Sequence, residues 1–298
     1  MPARTLSLLM LLMALASRAM AGNSAETKFT WGQDYRGYKA SASADLDREG
    51  NWNGYLSYSK SQFLQPETAG WYDIWYLELA HFAAETLLVS GSFTYSQDSD
   101  RTASLGPGIS LFYTWLGPSP DPGEILTLGF DGSLMFYRAE LEATASETGG
   151  TATSAQSVRL TQAAPTLFVD YALIPEWLSA GLSGTCYFYS DDPVQTALAA
   201  DPGLTDAGVS ALSSLMSGLL WNNWQAGVTL SLPLPLALSL EAGYGEQKQV
   251  YPDERVGDFG LGLSARLFSP LKLRLDWKRY FSSAGENDLF SVAGRWYF

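Results

Sequence analysis

The sequence predicts an all-β chain closed into an antiparallel transmembrane barrel. Three observations point there: apolar and polar residues alternate in one segment after another, aromatic residues gather near the segment ends, and short connections take turns with longer ones. The segment LKLRLDWK (271–278) is the clearest case. Leu271, Leu273, Leu275 and Trp277 share one face, while Lys272, Arg274, Asp276 and Lys278 share the other. Successive side chains of a strand point to opposite sides, so one face is apolar and the other charged. The same habit places Phe259, Leu261, Leu263, Ala265 and Leu267 opposite Asp258, Gly260, Gly262, Ser264 and Arg266. It also sets Leu236, Leu238, Leu240, Ala242 and Tyr244 against Ser239, Glu241, Gly243 and Gly245, and it recurs around 87–96 and 224–232. Segments of about ten residues match a tilted strand crossing a bilayer. Trp71, Trp75, Trp115, Trp177, Trp224, Trp277 and Trp296 lie near segment ends, where aromatic girdles belong. Backbone groups in lipid must all be paired, so such a sheet has to close on itself.

The connections supply the topology. Read back from Phe298, SPL (269–271), PLP (233–235), IPE (174–176), GPSPDPG (117–123) and AAET (83–86) are the short set. The alternate set is SSAGEND (282–288), YPDER (251–255), 191–222, 144–156, QDSDR (97–101) and LQPETAG (64–70). Strands are distinct from Trp52 onward. TKFTWGQD (27–34), a YRG turn and KASASADLD (39–47) add a further pair before the DREG turn (47–50), giving about fourteen strands with both ends on one side. The alternative is about twelve strands, with the N-terminal segment tucked into the lumen.

The first stretch, MPARTLSLLMLLMALASRAMA, has an early Arg4, an apolar run and a closing Ala-Met-Ala. That is the pattern of an export signal, so residues 1–21 are expected to be removed and 22–298 to form the barrel domain. After residue 21 no apolar run of about 18 residues occurs, so helical spans are not expected. The formal net charge is −13, with no basic surplus for nucleic acid. Cys186 is the single cysteine, which excludes a disulfide framework and a cysteine-based metal site.

Together these features resemble the Gram-negative outer-membrane β-barrel proteins, a porin-like class. The resemblance covers the whole chain: signal, amphipathic strands, asymmetric loops, and a terminal strand SVAGRWYF (291–298). It implies an outer-membrane location, a lipid bilayer bearing lipopolysaccharide as surroundings, and short turns on the periplasmic side. It also implies recognition by the barrel-assembly machinery, with Phe298, Trp296, Val292 and Phe290 at the matching positions of the last strand.

Chemistry is sparse. His81 is the only histidine, and its parity with Leu77 and Leu79 puts it on the apolar face beside the AAET turn, away from any outer-rim base. No metal-ligand spacing appears, GPG (106–108) and GLG (260–262) lack the helix a phosphate loop needs, and no cofactor or catalytic residue is expected. Asp98 with Asp100 and Asp191 with Asp192 could serve a hydrolase only as loop carboxylates. The polar faces carry more information. Arg266, Lys272, Arg274, Lys278 and Arg295 share inward parity with Asp258, Asp276 and Glu241, while Glu78, Asp131 and Asp170 face inward elsewhere. They are the expected lumen lining, either stiffening the wall as ion pairs or biasing permeation toward anions. The loop 191–222 holds Val209, Leu212, Met216 and Leu219 at helical spacing, the pattern of a short helix on the rim or of a lid. The expected function is passive permeation of small solutes or ions. A non-conducting structural or surface-interaction barrel is the alternative, and a hydrolase is the weaker third.

Overall fold

A strand that is apolar on one face and polar on the other is stable in lipid only if its edges vanish, and here they do. The structure, a computed structural model, describes residues 23–33, 35–47, 49–64, 70–99, 103–116, 124–145, 152–174, 178–191, 222–234, 238–249, 255–283 and 285–298. In chain order the strands are β1 (Ser24–Gly32), β2 (Tyr35–Asp45), β3 (Trp52–Phe63), β4 (Gly70–Ala84), β5 (Leu87–Asp98), β6 (Ala103–Leu116) and β7 (Glu124–Ala145). They continue with β8 (Ala152–Ile174), β9 (Leu178–Cys186, resuming at Phe188–Tyr189), β10 (Asn222–Leu234), β11 (Leu238–Gln249), β12 (Arg255–Phe268), β13 (Leu271–Ser282) and β14 (Gly285–Tyr297). Each strand pairs antiparallel with its neighbours in sequence, and β1 pairs with β14 from Ser24↔Tyr297 to Gly32↔Leu289. The result is a closed fourteen-strand antiparallel barrel. The N–H of Phe298 donates to the carbonyl of Asn23 at 3.0 Å, so the seam is tied at its last residue.

Exposure separates the two faces. Leu167 (65 %) and Leu182 (61 %) stand outside, whereas Ser104 (1 %) and Ser90 (2 %) lie inside. The outward row on β14 is Phe290, Trp296 and Phe298, all exposed. Trp31 stacks on Phe290 near the end of the barrel where β1 turns into β2, with ring centroids 6.3 Å apart. Trp52 stacks on His81 at 4.2 Å near the opposite end, where β4 turns into β5, and Phe268 meets Trp296 edge-on at 5.9 Å. His81 also places Nδ1 3.2 Å from the carbonyl oxygen of Asn51, so it belongs to the lower aromatic girdle. Inside, hydroxyls meet across neighbouring strands: Ser96 to Ser104 at 2.7 Å, Thr166 to Thr185 at 2.7 Å and Ser239 to Ser264 at 2.6 Å. Small hydroxyl side chains suit the concave face, where bulk would collide and bare backbone would need a polar neighbour.

Several boundaries differ from the sequence reading. The YRG segment lies inside β2, because pairing starts at Tyr35 and the first turn falls two residues earlier. The link expected over 144–156 is mostly paired strand: β7 and β8 remain in register out to Ala145↔Ala152. Its Ala, Ser and Thr residues alternate too weakly to read as a strand, yet the hairpin carries them above the barrel. In the same way β14 already begins at Gly285, within the expected SSAGEND link, and Gly285 takes φ 132°, a conformation open mainly to glycine. The expected leader (1–21) and the expected helix of the 201–220 segment lie outside the described residues.

Gly129 marks a close approach on the inner face. A Cβ there would collide with the ring of Phe168, which packs against Phe112 at a centroid distance of 4.8 Å. We expect Gly129→Val to destabilise the folded barrel by about 1–3 kcal/mol through overpacking, read as a lower urea midpoint for unfolding from lipid vesicles. A midpoint equal to that of the parent would show that the Phe168 ring moves aside freely.

Candidate functional site: a charged lumen

The inward faces of β11, β12, β13, β14 and β1 hold three neighbouring groups of paired ions. Arg274 donates through Nε to Asp276 at 2.6 Å and through a terminal nitrogen to Glu241 at 2.6 Å, linking β13 to β11 across β12. The other oxygen of Asp276 accepts from Lys28 on β1 at 3.2 Å and from the Ser291 hydroxyl on β14 at 3.0 Å. Lys278 reaches Asp258 at 2.9 Å. Arg295 donates to Glu26 at 2.6 Å, directly across the closing seam. Gly262, between Glu241 and Asp276 in the ladder, leaves the space that the Arg274 side chain occupies. Every one of these contacts joins different strands or neighbouring inward positions, which alternation alone dictates.

The remaining basic residues lie on the same side. Arg266 donates to the carbonyl of Ser269 at 3.3 Å and lies 5.5 Å from the Tyr297 ring. Lys272 faces Arg295 across β13 and β14 and has no acidic partner among the described residues. Lys39 on β2 is directly opposite Lys28 and lies over the Tyr55 ring at 5.7 Å. Among the described residues, every inward-facing Lys and Arg thus sits on β12, β13, β14, β1 or β2.

The opposite wall is different in kind. Halfway round the barrel from β14 is β7, where Asp131 accepts from the Ser110 hydroxyl at 3.2 Å. Glu78 on β4 accepts from the Tyr76 hydroxyl at 2.8 Å, and Asp170 on β8 is exposed. Beside Asp131 is a cavity of about 290 Å³, bordered by Thr94, Ser104, Met135, Tyr137 and Gln162. Gln162 bridges two phenols, accepting from Tyr137 at 2.8 Å and donating to Tyr189 at 2.9 Å. The lumen therefore has a cation-bearing wall facing a wall whose inward charges, among the described residues, are acidic.

Arg266, Lys272, Arg274, Asp276, Lys278, Arg295, Glu241 and Asp258 all fall on the first wall, as their parity requires. Glu26, Lys28 and Lys39 complete it and are not apparent from the sequence, because alternation is weakest in the first two strands. Once Ser24–Gly32 and Tyr35–Asp45 are accepted as strands, the same parity finds them. A second unforeseen cluster faces outward: Asp73 is nearly buried on the lipid side, accepts from the Tyr58 hydroxyl at 3.0 Å, and pairs with Lys60 at 3.4 Å. Lys60 in turn lies over the Trp71 ring at 4.0 Å. Of the loop carboxylates, Asp191 accepts from the Ser190 hydroxyl at 3.3 Å, while Asp100 and Asp192 lie outside the described residues. Cys186 is free and exposed on the outward face. No group of His, Cys, Asp and Glu among the described residues could hold a metal ion.

A closed barrel with an apolar, aromatic-bordered outside and an ionic inside has the fold of a transmembrane β-barrel. The chain is similar in fold to the CymD monoaromatic hydrocarbon channel, with a TM-score of 0.56 at 8 % identity, covering 97 % of this chain and 92 % of that one. It also matches the KdgM porin in complex with disordered oligogalacturonate (TM-score 0.45, 10 % identity, 92 % and 99 % covered). A third match is the outer membrane protein Omp33 of Acinetobacter baumannii (TM-score 0.47, 10 % identity, 93 % and 98 % covered). No family model matches the sequence, and no curated protein matches it. At these identities the likeness establishes the fold and nothing finer.

Removing Arg274 leaves Glu241 and Asp276 facing each other without their shared cation. The site is partly open to solvent, which screens the pair. We expect a double-mutant cycle of Arg274→Gln with Glu241→Gln to give a coupling of about 1 kcal/mol in urea unfolding. A coupling of zero would show the contact to be energetically idle.

Proposed function

We propose that the chain is a passive outer-membrane channel for small polar solutes or ions, exported by its leader and working without covalent chemistry or a cofactor. The observation that carries this reading is the segregation of lumenal charge: basic side chains line one wall, acids the other. Such an arrangement sets a field across the lumen, and a solute with separated charges lowers its energy by lying along it. Five of the basic residues named in the sequence, Arg266, Lys272, Arg274, Lys278 and Arg295, form most of the positive wall. Because Arg274, Lys278 and Arg295 are already paired with acids, the bias toward anions is modest and rests mainly on Lys272, Arg266 and Lys39. We also assign to Phe290, Val292, Trp296 and Phe298 the contact with the assembly machinery, since they form the outward row of the strand that closes the seam. Lipopolysaccharide would surround the extracellular girdle.

The test is single-channel conductance of the 22–298 chain in planar bilayers, with reversal potentials under a salt gradient. We expect stable steps with a mild anion preference. Glu78→Gln with Asp131→Asn should shift the reversal potential further toward anions, and Lys272→Gln with Lys39→Gln should shift it toward cations. Stable steps whose reversal potential ignores both pairs of substitutions would remove the field from the account.

One observation favours a non-conducting barrel. Inward residues near the extracellular end of β5, β6, β7 and β8, including Ser96, Ser104, Tyr137 and Gln162, are almost fully screened from water. A constriction or internal plug on that side would leave a folded barrel that never conducts.

A further inference from the structure

The inner wall has a recess where β5, β6, β7 and β8 run side by side. Gly106 and Gly108 take two successive inward positions of β6. The β6–β7 pairing skips from Leu105↔Phe136 to Gly108↔Ser133, and Pro107 in that gap has no N–H to donate. A Cβ at Gly106 would collide with the Met135 side chain, and one at Gly108 with the Ser92 hydroxyl. Side chains of β5 and β7 therefore lean over bare backbone. The neighbouring inward residues Thr94, Ser133, Ala164 and Thr166 are small, which leaves the cavity of about 290 Å³ beside Asp131.

Asp131 is the charged group of that recess. It is half-buried and accepts from the Ser110 hydroxyl, opposite it on β6, at 3.2 Å. Among the described residues, no Lys or Arg faces inward on any strand from β3 to β11. A carboxylate withdrawn from water without a cation carries a desolvation cost that a bound cation offsets. Glu78 on β4, held by the Tyr76 hydroxyl, adds to the negative potential on this wall.

The surroundings discriminate among cations. Thr94, Ser133, Thr166 and Thr185 bring hydroxyl oxygens to the same cavity. Thr166 and Thr185 bond to each other at 2.7 Å, and each oxygen keeps room to accept once more. A group with several N–H donors matches such a set better than a charge without donors. A divalent metal asks for more carboxylates, and no cluster of His, Cys, Asp and Glu among the described residues supplies them. Ile74, Met135 and Ala164 give the cavity an apolar side. Next to the partners of Asp131 on β6 and β8, Phe112 and Phe168 pack ring to ring at 4.8 Å, so the carboxylate is bordered by apolar surface there as well.

We propose that this recess is a lumenal subsite for a primary ammonium group on a short apolar chain, with the ammonium on Asp131 and the chain against Ile74, Met135 and Ala164. A carboxylate alone would take any cation, and an apolar cleft alone any small hydrocarbon. Their meeting in one cavity selects a solute that carries both. The subsite rests on the channel reading for access to the lumen, and it narrows the solute to amines and amino compounds.

The experiment uses the refolded 22–298 chain in neutral detergent, titrated separately with butylammonium, butan-1-ol and tetramethylammonium and followed by ligand-observed NMR. We expect butylammonium to bind about tenfold more tightly than either of the others. Asp131→Asn, which keeps an acceptor for Ser110, should bring butylammonium down to the level of the alcohol. Ser133→Phe, which fills the recess, should weaken amine and alcohol by a similar factor. Asp131→Ser and Ser133→Leu replace these variants if heat-modified migration shows that either does not fold. Equal binding of butylammonium and butan-1-ol, a preference that survives Asp131→Asn, or tetramethylammonium binding as tightly as butylammonium would each overturn the proposal. Binding is read without a membrane, so the two readings fail separately. A barrel that binds the amine and carries no current would remove transport and leave the subsite, and a conducting barrel with no amine preference would do the reverse.

Discussion

The constraint on which the rest of this molecule depends is that peptide N–H and C=O groups have no water to bond within a bilayer. An isolated amphipathic sheet would leave two rows of them bare. Pairing β1 with β14 from Ser24↔Tyr297 to Gly32↔Leu289 removes both rows at once. Closure then dictates everything else. It fixes which residues face the lumen, forces small hydroxyl side chains onto the concave surface, and leaves aromatic residues to mark the two borders of the apolar band. The Arg295–Glu26 and Lys28–Asp276 contacts lie at the seam itself, where the ends of the chain are joined through space and not by a turn.

Charge placement inside follows from the same geometry. In a protein with a net charge of −13, basic residues are scarce. Those on the inner face are gathered on neighbouring strands, and most are bound to acids there. Arg274 is the centre of that arrangement, because its planar fork can serve two carboxylates on different strands, which the single ammonium of a lysine does less well. Across the lumen Asp131 and Glu78 have hydroxyl partners instead, from Ser110 and Tyr76. The two walls therefore differ in what holds their charges as well as in sign.

Most of the fold was legible in the sequence because lipid and lumen impose opposite demands on alternate residues, and alternation survives from Trp52 onward in all but the far ends of β7 and β8. The inner position of Lys272, Arg274, Asp276 and Lys278 was legible for the same reason. What was lost has physical causes. The start of β2 carries Tyr35, Gly37 and Tyr38 in place of a clean apolar face, so its turn was set too late. The recess beside Asp131 was not visible, since it arises from strands whose small residues come together only in register. Asp73 shares the parity of Leu77 and Leu79, and nothing in one strand announces that Tyr58 and Lys60 on the next will cover it.

The β7–β8 hairpin has a property that no other part of the wall shares. β6 leaves β7 at Arg138, and β9 leaves β8 near Gln162, yet the two strands stay paired with each other out to Ala145↔Ala152. Among the described residues no third strand pairs with them there, so they run on as a two-stranded ribbon whose edges have no described strand partner. Exposed edges invite pairing with other chains. The composition of this ribbon opposes it: Glu140 and Glu142 put charge on one strand, and Thr, Ser and Ala keep the rest poor in the bulky apolar residues that sticky edges use. A protein crowded among identical neighbours in a membrane can carry such a projection only if it resists becoming the first strand of someone else's sheet.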